Sequence, residues 1–406
     1  MAADTTIYKE IEGKGGDYYS LVGWLAVMAA AGFGSMLYME HYGHVVTGMT
    51  NAVVWGTPHV FAVFLIVAAS GALNIASISS VFGKTQYKPL ARLSTITAVA
   101  LLAGGLMVLL LDLGRPDRLI VAMTKYNFKS IFAWNIILYS GFFVIVLTYL
   151  WMMMERRMVP YSKKMGLLAF VWRLALTTGT GSIFGFLVAR PGYDAAIMAP
   201  MFIAMSFAFG LAIFILVVNV AYRASNRPLG DFILFEMRNL LGVFIAAALY
   251  FTVTQHLTNL YAAEHAGIEA FILWDGGIYT FFFWVVQIGL GALFPLALLF
   301  NPATGRSCQG IMIASILVIV GGLAQLYIII IGGQAFPIPL FPGMEVSSSF
   351  FDGAVHPYVP SLLEILLGLS GMAVSLLIIA IAVKYLPLMP TSLSDAKVDP
   401  NHVAAE

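Results

Sequence analysis

Ten stretches of this chain are long and apolar enough to cross a lipid bilayer, for which a helix needs roughly 20 residues. They start near Tyr19, Trp55, Leu90, Ser130, Lys164, Ile197, Arg238, Ala270, Gln309 and Ser361. They end near Met39, Phe82, Asp112, Met154, Ala189, Tyr222, Tyr261, Phe300, Ile331 and Pro387. Lipid offers no partner to an unpaired backbone amide, so each stretch is expected to be a helix. The fifth carries the weakest signal, because Thr177 to Gly185 is rich in Thr, Ser and Gly. Composition points the same way: 60% of residues are hydrophobic and 10% charged, against about 25% charged in soluble domains. The expected fold class is therefore all-α, a polytopic membrane protein of about ten transmembrane helices. A formal net charge of +1 gives no reason to expect a nucleic-acid partner.

The single cysteine, Cys308, excludes a CxxCH haem attachment site and a four-cysteine iron–sulfur cradle. Any redox metal must then come from partner subunits. Residues 1 to about 18 are polar and the first apolar run is long enough to stay in the bilayer, so no cleavable signal peptide is expected. With the N-terminus cytoplasmic, 15 of the 21 Lys and Arg residues fall inside and 5 outside. That bias predicts both termini on the cytoplasmic side of a prokaryotic inner membrane. The tail after Pro387 is short and polar, and reads as disordered.

One outer loop departs from this pattern. Asp112 to Lys129 (DLGRPDRLIVAMTKYNFK) carries four of the five outer positive charges: Arg115, Arg118, Lys125 and Lys129. The loop is either a docking surface or an ordinary variation in loop charge. The last outer loop, from about Gly332 to Pro360, holds Pro337, Pro339, Pro342, Pro357 and Pro360. Proline-rich backbone can serve recognition or simply cover helix ends.

Ionisable groups at membrane depth are costly and usually mark a site or pathway. Six of seven histidines fall on the outer side: His41, His44, His59, His256, His265 and His356. For His41, His44 and His356 a wetted position among headgroups is sufficient explanation. His59 and His256 lie deeper. His59 heads a stripe with Val63, Ile66, Ser70, Asn74 and Ser77 on one helical face; the small polar members also suit close helix packing. Arg173, Thr177, Thr180 and Phe184 form a second stripe in the fifth span. Arg173 would line an aqueous half-channel or pair with Glu236. Arg173, His256 and Glu364 are thus candidate stations of a proton pathway, each with a structural alternative. A haem would need paired histidines, and His59 with His256 offers at most one pair. A secondary transporter would gather its ionisable groups at the midplane, whereas here they gather at the outer face.

Three motifs carry a resemblance: WGTPHVFAVFLIVAASGALN at Trp55 to Asn74, DLGRP at Asp112 to Pro116, and FKSIFAWN at Phe128 to Asn135. In this order and spacing the chain resembles the polysulfide reductase membrane subunit family, also called NrfD. Its members have an apolar helix opening with Trp and His, a D-L-G-x-P turn after the next helix, and then a Ser-x-x-x-W helix start. The likeness is best over Trp55 to Met154 and continues to about Phe300. The phrase RPDRLIVAMTKYNFKSIFAWN is similar to the branch found in Dsr transmembrane complexes of sulfur-metabolising prokaryotes.

The resemblance implies two four-helix bundles related as repeats, with flanking helices. The corresponding divisions are residues 1–54 (first helix), 55–190 (first bundle, with the site), 191–308 (start of the second bundle), 309–387 (last two helices and outer loop) and 388–406 (tail). It implies a menaquinone or ubiquinone held near the outer face, no haem or cluster in this chain, and an extracytoplasmic ferredoxin-like iron–sulfur partner. Other respiratory subunits, haem-containing ones among them, would complete the complex. The family's quinone-contacting His matches His59, and its turn Asp and following basic position match Asp112 and Arg115. Tyr126 and Tyr139 are the candidates for its quinone-contacting Tyr. On this reading His59 takes a hydroxyl proton or donates to a carbonyl, Asp112 orients His59 or relays the proton, Arg115 offsets negative charge, and Asn135 binds the second carbonyl. A scaffold that has lost its quinone site, and a proton-translocating module, are the rival readings. In the DLGRP turn, Gly114 as helix cap and Pro116 as stop explain two residues. They leave the buried-edge Asp112 unexplained.

Overall fold

The computed structural model describes residues 6–338 and 353–400. Among these residues ten helices are long and apolar enough to span a membrane. They are α1 Gly16–Tyr42, α2 Thr57–Ser80, α3 Thr85–Leu111, α4 Ile131–Met154, α5 Val159–Gly185, α6 Met198–Ala224, α7 Asp231–Tyr261, α8 Ile278–Phe300, α9 Cys308–Ala335 and α10 Leu362–Tyr385. The chain is thus the all-α polytopic membrane protein that its apolar runs require.

Two boundaries differ from the sequence reading for clear reasons. The eighth span starts at Ile278 and not near Ala270, because Gly277 adopts φ +59° and breaks the helix. Phe271–Asp275 becomes a separate wide turn before it. The seventh begins at Asp231, ahead of Arg238, so Glu236 and Arg238 lie within helix near the bilayer edge. There Arg238 donates to the Gly305 carbonyl at 2.8 Å.

Helix neighbours close two rings of four. In the first, α2 packs on α3, α3 on α4, α4 on α5 and α5 back on α2; in the second, α6, α7, α8 and α9 follow the same order. The rings join where α2 lies along α6, with α5 against α6 and α9 against α2 on either side. Helix α10 packs on α3 and α2, and α1 rests on α10. The central helix shows this in its burial: 89% of the α2 window is enclosed, against 22% for α1.

What lets α2 and α6 meet is the absence of side chains. A Cβ on Gly71 would overlap the Ser206 carbonyl, and one on Gly210 would overlap the backbone of Gly71 and Ala72. Such close approach is how helices associate where there is no hydrophobic drive between them.

The tail is a correction to the sequence reading. It is folded through residue 400, because Leu388, Met389 and Leu393 bury their side chains completely or nearly so. Strand β1 (Tyr8–Lys9) pairs antiparallel with β2 (Met389–Pro390), and Gly230 N–H donates to Leu393 O at 2.8 Å. Arg227 ties the two segments together, donating to Glu10 O at 2.7 Å and Lys9 O at 3.0 Å on one side and to Met389 O at 3.3 Å on the other. The first and last described segments therefore lie on one face, the proximal face; the opposite face is distal. Pro339, Pro342 and His402 lie outside the described residues.

Replacing Gly71 by Ala should cost about 3 kcal/mol or more, the upper end of overpacking costs, because backbone must shift to admit the methyl. Thermal unfolding of the purified protein should show a clear drop for Gly71→Ala. Gly23→Ala on α1, where nothing lies within 4 Å of the added Cβ, should leave the transition in place.

Candidate functional site

Two sequence-predicted residues meet at the distal mouth of the first ring. His59 sits in the first turn of α2, set there by Pro58 and by its own N–H bond to Gly56 O (3.1 Å). Asp112 follows the last residue of α3 and is 5% exposed. Their Nδ1 and Oδ2 atoms lie 2.8 Å apart. The approach is out of line for a hydrogen bond, so His59 Nδ1 and both Asp112 oxygens are buried without hydrogen-bond partners among the described residues. A carboxylate at a helix C-terminus opposes the local dipole, while the α2 N-terminus favours one. Buried polar atoms without a hydrogen bond cost roughly 1–3 kcal/mol each; three converge here, two of them facing each other across the 2.8 Å contact.

His44 adds a fourth. Its Nδ1 is likewise buried and unpaired among the described residues, and its ring lies over the DLGRP turn, 3.6 Å from where a Gly114 Cβ would be. The sequence reading left His44 among headgroups, because no local pattern indicates that the α1–α2 connection folds back over the end of α3.

Aromatic rings line the approach. Trp55 stacks on His59 (centroids 6.1 Å) and on Tyr193 (6.5 Å), and meets Phe132 and Phe184 edge-on. The second ring fixes this wall. Gln334, at the distal end of α9, accepts from Val54 N–H (2.9 Å) and Trp55 N–H (3.0 Å) and donates to Trp55 O (3.0 Å). Arg190 donates to Gln334 O and to Ala52 O, at 2.8 and 2.9 Å. Tyr193 donates to Ile330 O at 2.8 Å, and burial holds its hydroxyl well above its ordinary pKa.

The other candidates fall elsewhere. Arg115 faces outward and forks onto Asp117 (two contacts of 3.0 Å), which keeps the Asp117 carboxyl below its usual range; it does not contact His59 or Asp112. Tyr126 stacks on Phe128 in the surface loop. Asn135 and Tyr139 are buried between α4 and α5. Asn135 donates to Ile131 O and Gly179 O (2.9 and 3.0 Å), and Tyr139 shares a 3.2 Å hydrogen bond with Thr180. Both amide hydrogens of Asn135 are thus used, leaving its carbonyl 3.5 Å from Thr180 Oγ1. Arg173 does not pair with Glu236, which accepts instead from Tyr87 and Gln86. It donates to Ser70 O at 3.1 Å and lies against Phe170 and Phe207. His256 pairs with Glu269 in the second ring, Nδ1 to Oε2 at 2.7 Å.

Glu364 works as a strap. One oxygen accepts Gly48 and Ser361 N–H groups (each 2.8 Å) and the other the Tyr358 hydroxyl (2.6 Å), which also meets Thr57 N–H at 2.7 Å. Ser361 and Glu364 complete a reciprocal capping box at the start of α10. Burial, then Glu364, raise the Tyr358 pKa. The stability held there is complete below about pH 10, the ordinary tyrosine value, and falls as pH rises through the raised one.

With this geometry in view, comparison with known proteins is decisive. The family described as Polysulphide reductase, NrfD matches residues 45–339. The chain belongs to this NrfD family. It is 29% identical over 386 residues to the Hdr-like menaquinol oxidoreductase integral membrane subunit of Archaeoglobus fulgidus, covering 94% of this sequence and 96% of that one. It is 26% identical over 402 residues to a membrane subunit of a putative dimethyl sulfoxide reductase from Halobacterium salinarum, covering 90% and 91%. A polypeptide of the Wolinella succinogenes polysulfide reductase is 22% identical over 316 residues, covering 70% and 96%. As an NrfD member the protein is an integral multi-pass membrane protein.

Among the described residues no three His, Cys, Asp or Glu side chains converge as a metal site. A roomier cavity of about 650 Å³ opens elsewhere on the distal face, between Phe271, Tyr279, Phe336 and Tyr358, with Asp275 and His356 at its edge.

Glu364→Ala should lower stability by roughly 2 kcal/mol or more, since it strands three donors. Glu364→Gln, which keeps the shape, should lose less. Both losses are read as the drop in unfolding temperature of the purified variants. An unfolding temperature unmoved by Glu364→Ala would show that these donors find other partners.

Proposed function

We propose that this protein exchanges electrons between membrane quinone and an extracytoplasmic iron–sulfur subunit, binding the quinone headgroup at His59 and Asp112. The observation that carries this reading is the convergence of unpaired buried groups at the distal mouth. A quinone carbonyl needs a donor and a quinol hydroxyl needs an acceptor. An imidazole beside a carboxylate supplies either one, depending on where its proton sits. Trp55, Phe132 and Phe184 offer apolar walls for a flat ring, as small-molecule sites do. The quinone supplies the two-electron chemistry when bound. His59 holds or takes the hydroxyl proton at one ring nitrogen, while Asp112 beside Nδ1 favours the charged imidazole that results.

The names of the relatives support the quinone and the multi-subunit setting: one is a menaquinol oxidoreductase membrane subunit, others belong to polysulfide and putative dimethyl sulfoxide reductases. The distal face is then the extracytoplasmic one, opposite the termini, with the inner membrane of a prokaryote as the setting. The loop after α3 suits a docking partner, since Arg115, Arg118, Lys125 and Lys129 are exposed beside the apolar Ile120, Val121 and Phe128. Sulfur metabolism is the finer assignment, supported by the resemblance of that loop to the Dsr-type branch. Asn135 and Tyr139, one layer deeper, are second-carbonyl candidates through their Thr180 cluster; Arg115 and Tyr126 fit partner docking better than quinone contact.

The 650 Å³ cavity favours a second reading, a headgroup held in the second ring. His59→Ala separates the two. Quinone-analogue titration of the purified complex should show binding weakened tenfold or more, about 1.4 kcal/mol. Unchanged binding would move the site to the second ring, and no binding even in wild type would leave a scaffold.

The wall generates its own expectation. Gln334→Leu removes all three ties to residues 54 and 55 and should raise KM for quinol several-fold while kcat falls less, measured by steady-state oxidation. An unaltered KM would show that the Gln334 clamp does not shape the site.

A further inference from the structure

The second ring carries a buried acid that quinone chemistry at His59 does not use. Glu269, on the short helix Ala266–Ala270, is buried. One oxygen receives His256 Nδ1 at 2.7 Å and the other the Asn259 amide at 2.8 Å. The His256 side chain is 13% exposed against 1% for Glu269, and it lies near the distal end of α7, which closes at Tyr261. The charged groups on adjoining segments are engaged elsewhere: Glu264 with His265 at 3.6 Å, and Arg190 with the Gln334 and Ala52 carbonyls.

Inward from the pair the ring is polar where packing alone would make it apolar. A cavity of about 20 Å³ has His256, Gln255, Thr252, Gln287 and Gln325 on its polar side and Ile272, Ile328 and Ile329 on its apolar side. A second, of about 30 Å³, shares Thr252, Gln287 and Gln325 with it and ends against Ala208, Phe209 and Val318. Each has room for a water or two, since one needs roughly 10–15 Å³. Gln325 donates to Thr252 at 3.0 Å. Gln287 is 7% exposed and makes no hydrogen bond to protein among the described residues. Gln287 lines both cavities, and water in them can partner its amide. Gln287 belongs to Phe282–Leu293, which is wound as a π-helix, a geometry frequent at functional sites.

We propose that His256 and Glu269 form a proton-binding site at the head of a hydrated polar file in the second ring, loaded from the distal side. A proton from distal water adds at His256 Nε2; the Nδ1–H bond then breaks as an O–H bond forms on Glu269 Oε2, leaving the imidazole neutral. Glutamine and threonine hold no proton themselves but order the water that passes one. The apolar floor at Phe209 and Val318 makes the file a well and not a channel. Protons enter and leave it from one side only, and loading it moves charge part of the way into the membrane.

Infrared difference spectra of the intact complex, stepped between acid and alkaline pH without added quinone, test this directly. Wild type should show a protonated-carboxyl band on the acid step that shifts within seconds of exchange into D₂O. Glu269→Gln should lose that band, and His59→Ala should keep it, so the outcome is independent of where quinone binds. If Glu269→Gln does not assemble, His256→Asn should move the pH midpoint of the band by a unit or more. A band that survives Glu269→Gln, a midpoint indifferent to His256→Asn, or a carboxyl that takes hours to exchange would overturn the proposal and leave the pair a dry structural tie.

Discussion

The architecture hangs on one contact: α2 and α6 touch backbone to backbone at Gly71 and Gly210. Inside lipid the helices gain little from hiding apolar surface from one another, so close packing and polar ties must hold the two rings together. With larger residues at those two positions, the rings would separate by the width of a side chain. The Gln334 and Arg190 bonds to residues 52–55 span the same junction and would be pulled out of reach. The site at the distal mouth is therefore a product of both rings, although its two ionisable residues come from one.

This arrangement explains why the two His–carboxylate pairs differ. Glu269 is saturated by His256 and Asn259 and needs nothing further from outside the protein. Asp112 sits at a helix end with His59 close by but badly aligned, and both oxygens remain unpaired among the described residues. A satisfied pair suits holding a proton; an unsatisfied one suits a ligand that completes it. Two buried acids, one in each ring, are thus suited to different work by their neighbours, in the way environment separates otherwise similar carboxyl groups.

Much of this was legible in the amino-acid order. Apolar length set the ten spans, because the bilayer leaves the backbone one solution, and the motifs around His59 and Asp112 singled out both residues that meet at the distal mouth. What escaped the sequence depended on long-range folding. His44, Gln334 and Arg190 reach the site from loops and helix ends whose return paths no local pattern encodes. Glu269 escaped because it lies just ahead of Ala270, in what read as the connection between the seventh and eighth spans, and only folding brings it back against His256 and Asn259. The partner of Arg115 escaped for a related reason: it is Asp117, two residues on, where the motif had pointed to Asp112 as the alternative. The tail was misjudged by average polarity, since three buried apolar residues anchor it.

The most direct measurement of the central claim is photoaffinity labelling of the complex in membranes with an azido-quinone, followed by mapping of the modified peptides with and without competing quinol. The account predicts competable labelling in the segment from Trp55 to Val63 and beside Asp112. Labelling concentrated between Gly267 and Tyr279, with residues 55–63 untouched, would contradict it and place the quinone in the second ring.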